Sequence, residues 1–205
     1  MVAEVQQYFA DHGASHIAVL GKTNQYAPLL LTTPAEIAQA AAGTVSLGLQ
    51  AQTHTEPVSA MMVAALGDPG LAMLRAQVLV PVVGIGESAF MTAAHNGRRF
   101  GIVTITPDAD LLASFSTKAH QLGIAQQYGG TWLTQGDAHH LLANHQQLDK
   151  ALTGAIHLAI ADGVAAVIIG GGPLSAAAQR LQPQFSIPLI SPVVAAANAV
   201  LDKLS

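Results

Sequence analysis

Glu87 stands where the run Pro-Val-Val-Gly-Ile-Gly gives way to a helical segment, at the carboxyl end of a buried strand. A carboxylate buried there has a raised pKa and can act as general acid or base; it can equally anchor the next helix by binding backbone N–H groups. Asp68, directly before Pro69, has the same two readings, because Asp before Pro suits both the cap and the first position of a helix. His54, in Thr-His-Thr-Glu-Pro, falls in a loop expected to follow a strand, and an imidazole titrating near neutrality can move protons there. Thr104 and Thr106 end a β-branched run in which alternation sets both hydroxyls on one side, ready to donate to a carboxylate. Gly170, Gly171 and Gly172 form a turn whose bare backbone can close on an anion or pack tightly against a helix. Lys22, in the polar loop Gly-Lys-Thr-Asn-Gln, can pair with a carboxylate or stand in solvent.

Other chemistries are excluded or disfavoured by what the chain lacks. It has no cysteine, so thiol nucleophiles, thiolate metal sites and disulfides are impossible. His139, His140 and His145 lie close together but without a carboxylate at metal-helix spacing, so they read as a solvated helix face and no metal is expected. Gly-Ile-Gly-Glu-Ser-Ala lacks the third glycine of a dinucleotide fingerprint, and no lysine of phosphate-loop type follows any Gly-rich turn. The reaction, if there is one, is expected to be cofactor-independent. A net charge of -4 without a basic helical face gives no reason to bind nucleic acid.

With 51% hydrophobic and 10% charged residues, little of the surface can be covered by ions, so a homo-oligomer is expected. No apolar run is long enough to cross a bilayer, and the polar Glu4, Gln6 and Gln7 stand where a leader would be basic and apolar, so the chain reads as cytoplasmic.

These residues need a scaffold, and the pattern supplies one. Short β-branched runs alternate with Ala-rich segments of helical spacing, the signature of βαβ units around a parallel sheet. A helix is predicted over Val5 to Asp11, and Thr33 with Glu36 predicts a capped helix beginning at Pro34. Strands are predicted at His16 to Leu20, Thr44 to Leu49, Ser59 to Leu66, Val82 to Ile85, Phe100 to Ile105, Val164 to Ile169 and Leu189 to Ile190. The segment from Met61 to Ala94 and the segment from Val164 to Val200 share one layout: buried strand, Gly-rich turn, helix, Pro-led strand, helix. Two related halves facing each other would place both turns around one cleft.

The stretch from Ala64 to Pro107, containing Gly-Asp-Pro-Gly-Leu and Pro-Val-Val-Gly-Ile-Gly-Glu-Ser, resembles the centre of hydantoin and allantoin racemases, members of the aspartate/glutamate/hydantoin racemase superfamily. The segment from Ala161 to Val200 resembles the same family's second half. The region before Thr44 departs from it, offering Gly-Lys-Thr-Asn where the family has Asn-Pro-Asn-Thr. The resemblance implies an α/β fold of two pseudo-symmetric lobes, each a parallel sheet flanked by helices, with the site in the inter-lobe cleft. It divides the chain into 1–94 plus 192–205 for the first lobe and 95–191 for the second. Lys22, Thr23 and Asn24 then occupy the substrate-binding loop, Thr104 and Thr106 match the family's hydroxyls, and Glu87 is the family-matched acid.

The family moves protons with two cysteines on opposite sides of the substrate carbon. Their positions fall on Ala65 and Gly171, neither of which can carry a proton. Three readings remain: an isomerase or lyase acting on a small carboxylate or ureide through other groups, with Glu87, His54 and Asp68 as candidates; a non-catalytic binding homologue; or a racemase whose cysteines were engineered out. The space at Ala65 and Gly171 would admit a bulkier ligand.

Overall fold

The computed structural model describes residues 1–25, 27, 34–53, 57–171 and 174–205. Among them the chain forms α1 (Val2–Asp11), α2 (Pro34–Gln52), β1 (Met61–Val63), α3 (Leu71–Arg75), β2 (Val82–Gly84), α4 (Ile85–Ala93), β3 (Phe100–Thr104), α5 (Ala109–Gln121), β4 (Tyr128–Leu133), α6 (Ala138–Ala143), α7 (His145–Ala161), β5 (Ala166–Ile169), α8 (Ser175–Leu181), β6 (Leu189–Ile190) and α9 (Pro192–Leu204). Every pairing is parallel: β1 with β2 in one sheet, and β4-β3-β5-β6 in the other. The α/β fold of two parallel sheets flanked by helices is thus the one expected.

Strands β3 and β5 are buried along their whole length, which is why they read as unbroken apolar runs. On one face Val103, Val167 and Ile169 meet Leu152 and Ile156 of α7 and Leu181 of α8. On the other, Phe100, Ile102 and Ile168 meet Phe90 of α4 and Phe115 of α5. The smaller sheet is covered by α3 through Leu71 and Leu74, and by α1 and α9 through Val5, Phe9, Val193 and Ala197. Although last in sequence, α9 packs beside α1 and α4.

The two similar segments take corresponding courses. Met61 donates its N–H to Pro81 O at 2.9 Å, and Val167 donates to Pro188 O at 2.9 Å. After β1 the N–H of Asp68 closes a turn on Ala65 O at 2.9 Å; after β5 the N–H of Leu174 closes one on Gly171 O at 3.1 Å. Ala65 and Gly171 therefore hold matching places, and α4 and α9 start at matching places after β2 and β6.

Two expectations are corrected, and one strand was missed. Thr44 to Leu49 is not a strand but the middle of α2. Two β-branched residues, Thr44 and Val45, do not outweigh the alanines around them, and glycines let the helix be approached closely: a Cβ at Gly43 would lie 2.0 Å from Asn24 Nδ2, and one at Gly48 2.4 Å from Leu74 Cδ1. His16 to Leu20 joins no sheet; two of its backbone groups are bound by one side chain, Gln6, which donates to Ile17 O and accepts from Val19 N, each at 2.9 Å. Strand β4 was not predicted, because Gly129 and Gly130 interrupt its pattern. The remaining strands fall where expected but shorter, β1 covering only Met61–Val63 of the predicted Ser59 to Leu66. Thr33, the predicted cap of α2, lies outside the described residues.

Candidate functional site

The turn after β1 is built around Asp68, whose backbone adopts φ 51°, a left-handed conformation unusual for a residue with a side chain. What holds it there is a set of three donors. Asp68 Oδ1 accepts from Gly86 N at 2.9 Å, and Oδ2 accepts from Glu87 N at 2.6 Å and from Lys118 Nζ of α5 at 2.6 Å. The carboxylate thus caps α4 from a remote turn, where the helix's unpaired N–H groups favour negative charge, and ties the β1 turn to α5. Close approach depends on the Gly-Ile-Gly spacing: a Cβ at Gly84 would fall 2.5 Å from Asp68 Cγ, and one at Gly86 1.9 Å from Leu66 O. Burial of the Asp68 carboxyl raises its pKa, and the Lys118 ammonium and the two backbone N–H groups oppose that rise without cancelling it. The capping role foreseen for Asp68 thus concerns α4, not the helix that follows it in sequence.

Glu87 is held differently from either expectation. Its carboxylate forms a two-point pair with Arg75, at 2.8 and 3.3 Å, while Arg75 Nε donates to Val82 O at 2.9 Å. The Glu87 side chain is 32% exposed, so it is not a buried carboxylate. It lines a depression of about 560 Å³ with Arg75, Pro81 and Lys203. Asp68, not the Glu87 side chain, binds the N–H groups opening α4.

At the end of β3, Thr104 is buried and Thr106 half-buried; the N–H of Thr106 points to Thr104 Oγ1 at 3.4 Å, long for a hydrogen bond. Gly170 lies against this end, donating to Val103 O at 2.7 Å, and a Cβ on it would come within 3.2 Å of Thr104 Cβ. The structure therefore brings Thr104, Thr106, Gly170 and Gly171 together at the carboxyl edge of the larger sheet. Gly171 has φ 104°, which a side chain would strain. Ala65 is half-buried in the Asp68 turn.

Of the first loop, Lys22 and Thr23 are exposed, and Asn24 lies against α2, with Nδ2 near Ala40 O at 3.5 Å. His54 and Gly172 lie outside the described residues. The reason for placing His54 at the cleft no longer holds, since the chain before it is helix α2, not a strand.

One polar cluster was missed. Ser175, at the start of α8, is fully buried and donates to Glu4 Oε1 of α1 at 3.0 Å; Ser191, the cap of α9, donates to the same oxygen at 3.2 Å, and the two serine hydroxyls touch. Ser191 Oγ also accepts from Val194 N at 3.2 Å. The Ser-Pro step was a legible cap signal, but nothing in the sequence connects it to Glu4.

Parallel strands on two sheets, matched turns at their carboxyl ends and glycines where backbone must approach define a two-lobed α/β protein of internal pseudo-symmetry. The chain belongs to the Asp/Glu/hydantoin racemase family, whose model matches residues 1–200. It is 27% identical over 195 residues to a hydantoin racemase of Rhizobium meliloti, covering 90% of this chain and 75% of that one. A hydantoin racemase of Pseudomonas sp. (strain NS671) is 30% identical over 145 residues, covering 68% of this chain and 56% of its own. Among solved structures, an allantoin racemase from Klebsiella pneumoniae superposes with a TM-score of 0.86 at 24% identity, over 99% of this chain and 82% of that one. An arylmalonate decarboxylase superposes with a TM-score of 0.60 at 12% identity, over 84% and 78%; at these identities the structural likeness speaks to fold alone.

Proposed function

We propose that the protein is a cofactor-independent enzyme acting at a carbon beside a carbonyl in a small carboxylate or ureide, as an isomerase or a lyase, with oxygen groups in place of the family's thiols. The observation that carries this reading is a family match over residues 1–200 in a chain that contains no cysteine. Thr104, Thr106 and the backbone of Gly170 and Gly171 are the proposed binding edge, and the Ala65 to Asp68 turn is the proposed opposite wall. Hydroxyls and N–H groups suit a carboxylate or an enolate oxygen. Both a racemase and a decarboxylase are known on this fold, and both reaction types pass through a carbanion that needs such donors.

A non-catalytic binding homologue is the second reading. It is favoured by the commitment of Asp68 to three donors and of Glu87 to Arg75. Thermal-shift screening against hydantoins, allantoin, amino acids, malonates and hydroxy acids identifies a ligand, and proton NMR of that ligand in D2O with the protein separates the two. Exchange or cleavage supports the enzyme; a ligand that stabilises the protein and stays chemically unchanged supports the binding homologue.

A further inference from the structure

We propose that Glu4 is a catalytic acid/base group of this site, held by Ser175 and Ser191 on the Gly171 side of the cleft; this rests on the enzymatic reading above. The placement comes from the repeat. In the first half, the start of α4 receives a carboxylate, Asp68, supplied by the turn after β1. In the second half, the turn after β5 supplies no acid; Leu174 stands where the first half has Asp68. The carboxylate beside the start of α9 is supplied instead by α1, as Glu4.

The two carboxylates differ in what they have left to do. Asp68 accepts from a lysine and two backbone N–H groups and is 2% exposed, so both its oxygens are occupied. Glu4 is half-buried, and both its hydrogen bonds fall on Oε1. Among the described residues, no donor is bonded to Oε2 and no cation is paired with Glu4.

Counting hydrogens shows why this cluster suits a proton carrier. Glu4 Oε1, Ser175 Oγ and Ser191 Oγ form a triangle with three oxygen–oxygen contacts. Two serine hydroxyls bring two hydrogens, one short of a hydrogen on every side. A proton on Glu4 completes the ring, each oxygen then donating once and accepting once within it, while Ser191 Oγ accepts a second time from Val194 N. Because Ser175 is fully buried, water cannot supply the missing hydrogen from its side. The cluster therefore has a place for one more proton. It sits where β5 and β6 end, and Ser175 is four residues beyond Gly171, the position matching the family's second cysteine.

In the reaction, the substrate C–H bond breaks, its electron pair passes into the adjoining carbonyl, and the proton bonds to Glu4; the reverse step returns a proton to carbon. No oxidant, reductant or further reactant is needed.

The test is substrate C–H exchange in D2O, followed by proton NMR for the unaltered protein, Glu4→Gln and Glu4→Asp, each checked for folding by circular dichroism. General acid–base groups contribute about 100-fold or more, so Glu4→Gln is expected to lose at least that factor while still binding the ligand in a thermal-shift titration. Glu4→Asp, which keeps the acid but withdraws it by one methylene, is expected to retain measurable exchange above Glu4→Gln. If Glu4→Gln does not fold, a Glu4→Asp rate equal to that of the unaltered protein overturns the assignment and a loss of 10-fold or more supports it. Equal exchange in the unaltered protein and folded Glu4→Gln overturns this inference alone. Absence of exchange in the unaltered protein overturns this inference, and absence of both exchange and cleavage overturns the enzymatic reading as well.

Discussion

Asp68 and Lys118 form the most consequential pair of side chains, because the aspartate is almost wholly buried and its one cation arrives from another helix. Removing one partner of a buried pair leaves the other charge uncompensated, at a cost of about 3–5 kcal/mol; the lysine here is 14% exposed, so Lys118→Met is expected to lose about 3 kcal/mol, read by urea unfolding. The pH dependence follows from the same site. A carboxyl whose pKa is raised by folding holds its proton more tightly in the native state, so its contribution to stability falls as pH rises above the ordinary carboxylate value. Lys118→Met lacks the opposing cation, so its stability is expected to fall more steeply with pH across that window; parallel pH profiles would contradict this. Glu87 is the contrasting case. Its partly exposed pair with Arg75 is worth about 1 kcal/mol or less, so Glu87→Gln is expected to leave ligand binding and exchange within about twofold of the unaltered protein.

At the scale of elements, strands β2, β3, β5 and β6 were legible because a strand covered on both faces must be apolar throughout. The same rule misled at Thr44 to Leu49, where a short apolar run with two β-branched residues is helical; periodicity cannot separate a buried strand from a buried helix over so few residues. His16 to Leu20 had the composition of a strand, but its backbone groups found Gln6 instead of a neighbouring strand. Gln6→Ala is therefore expected to cost about 1–2 kcal/mol in urea unfolding, by leaving a donor and an acceptor without their partner. Of the candidate site, the chain positions of the two turns were legible and the partners of their side chains were not. Glu87 looked like the capping carboxylate, and the cap came from a residue 19 positions away. Glu4 carried no signal at all, since its partners lie 171 and 187 positions along the chain. Gly86→Ala tests the close approach that such contacts require: its Cβ would meet the Leu66 carbonyl at 1.9 Å, and a loss at the upper end of the roughly 1–3 kcal/mol typical of overpacking is expected.

For the whole molecule, the repeat explains why two turns from distant parts of the chain match each other. Each half contributes a strand, a turn and a helix start, and the halves meet through Leu66, Phe90, Phe100 and Ile168 in one shared cluster. Family membership covers nearly the whole chain, whereas the chemistry proposed for it rests on a few atoms at the two turns. The central claim is that a small carboxylate or ureide binds between the Ala65 to Asp68 turn and the Gly170 to Gly171 turn, served by oxygen groups. A crystal structure with the best ligand from the thermal-shift screen tests it most directly. The account predicts electron density for the ligand within hydrogen-bonding distance of Thr104 or Thr106 and of the Gly171 turn. A ligand seated instead beside Arg75, Glu87 and Lys203, or a space between the turns filled by packed side chains, would contradict it.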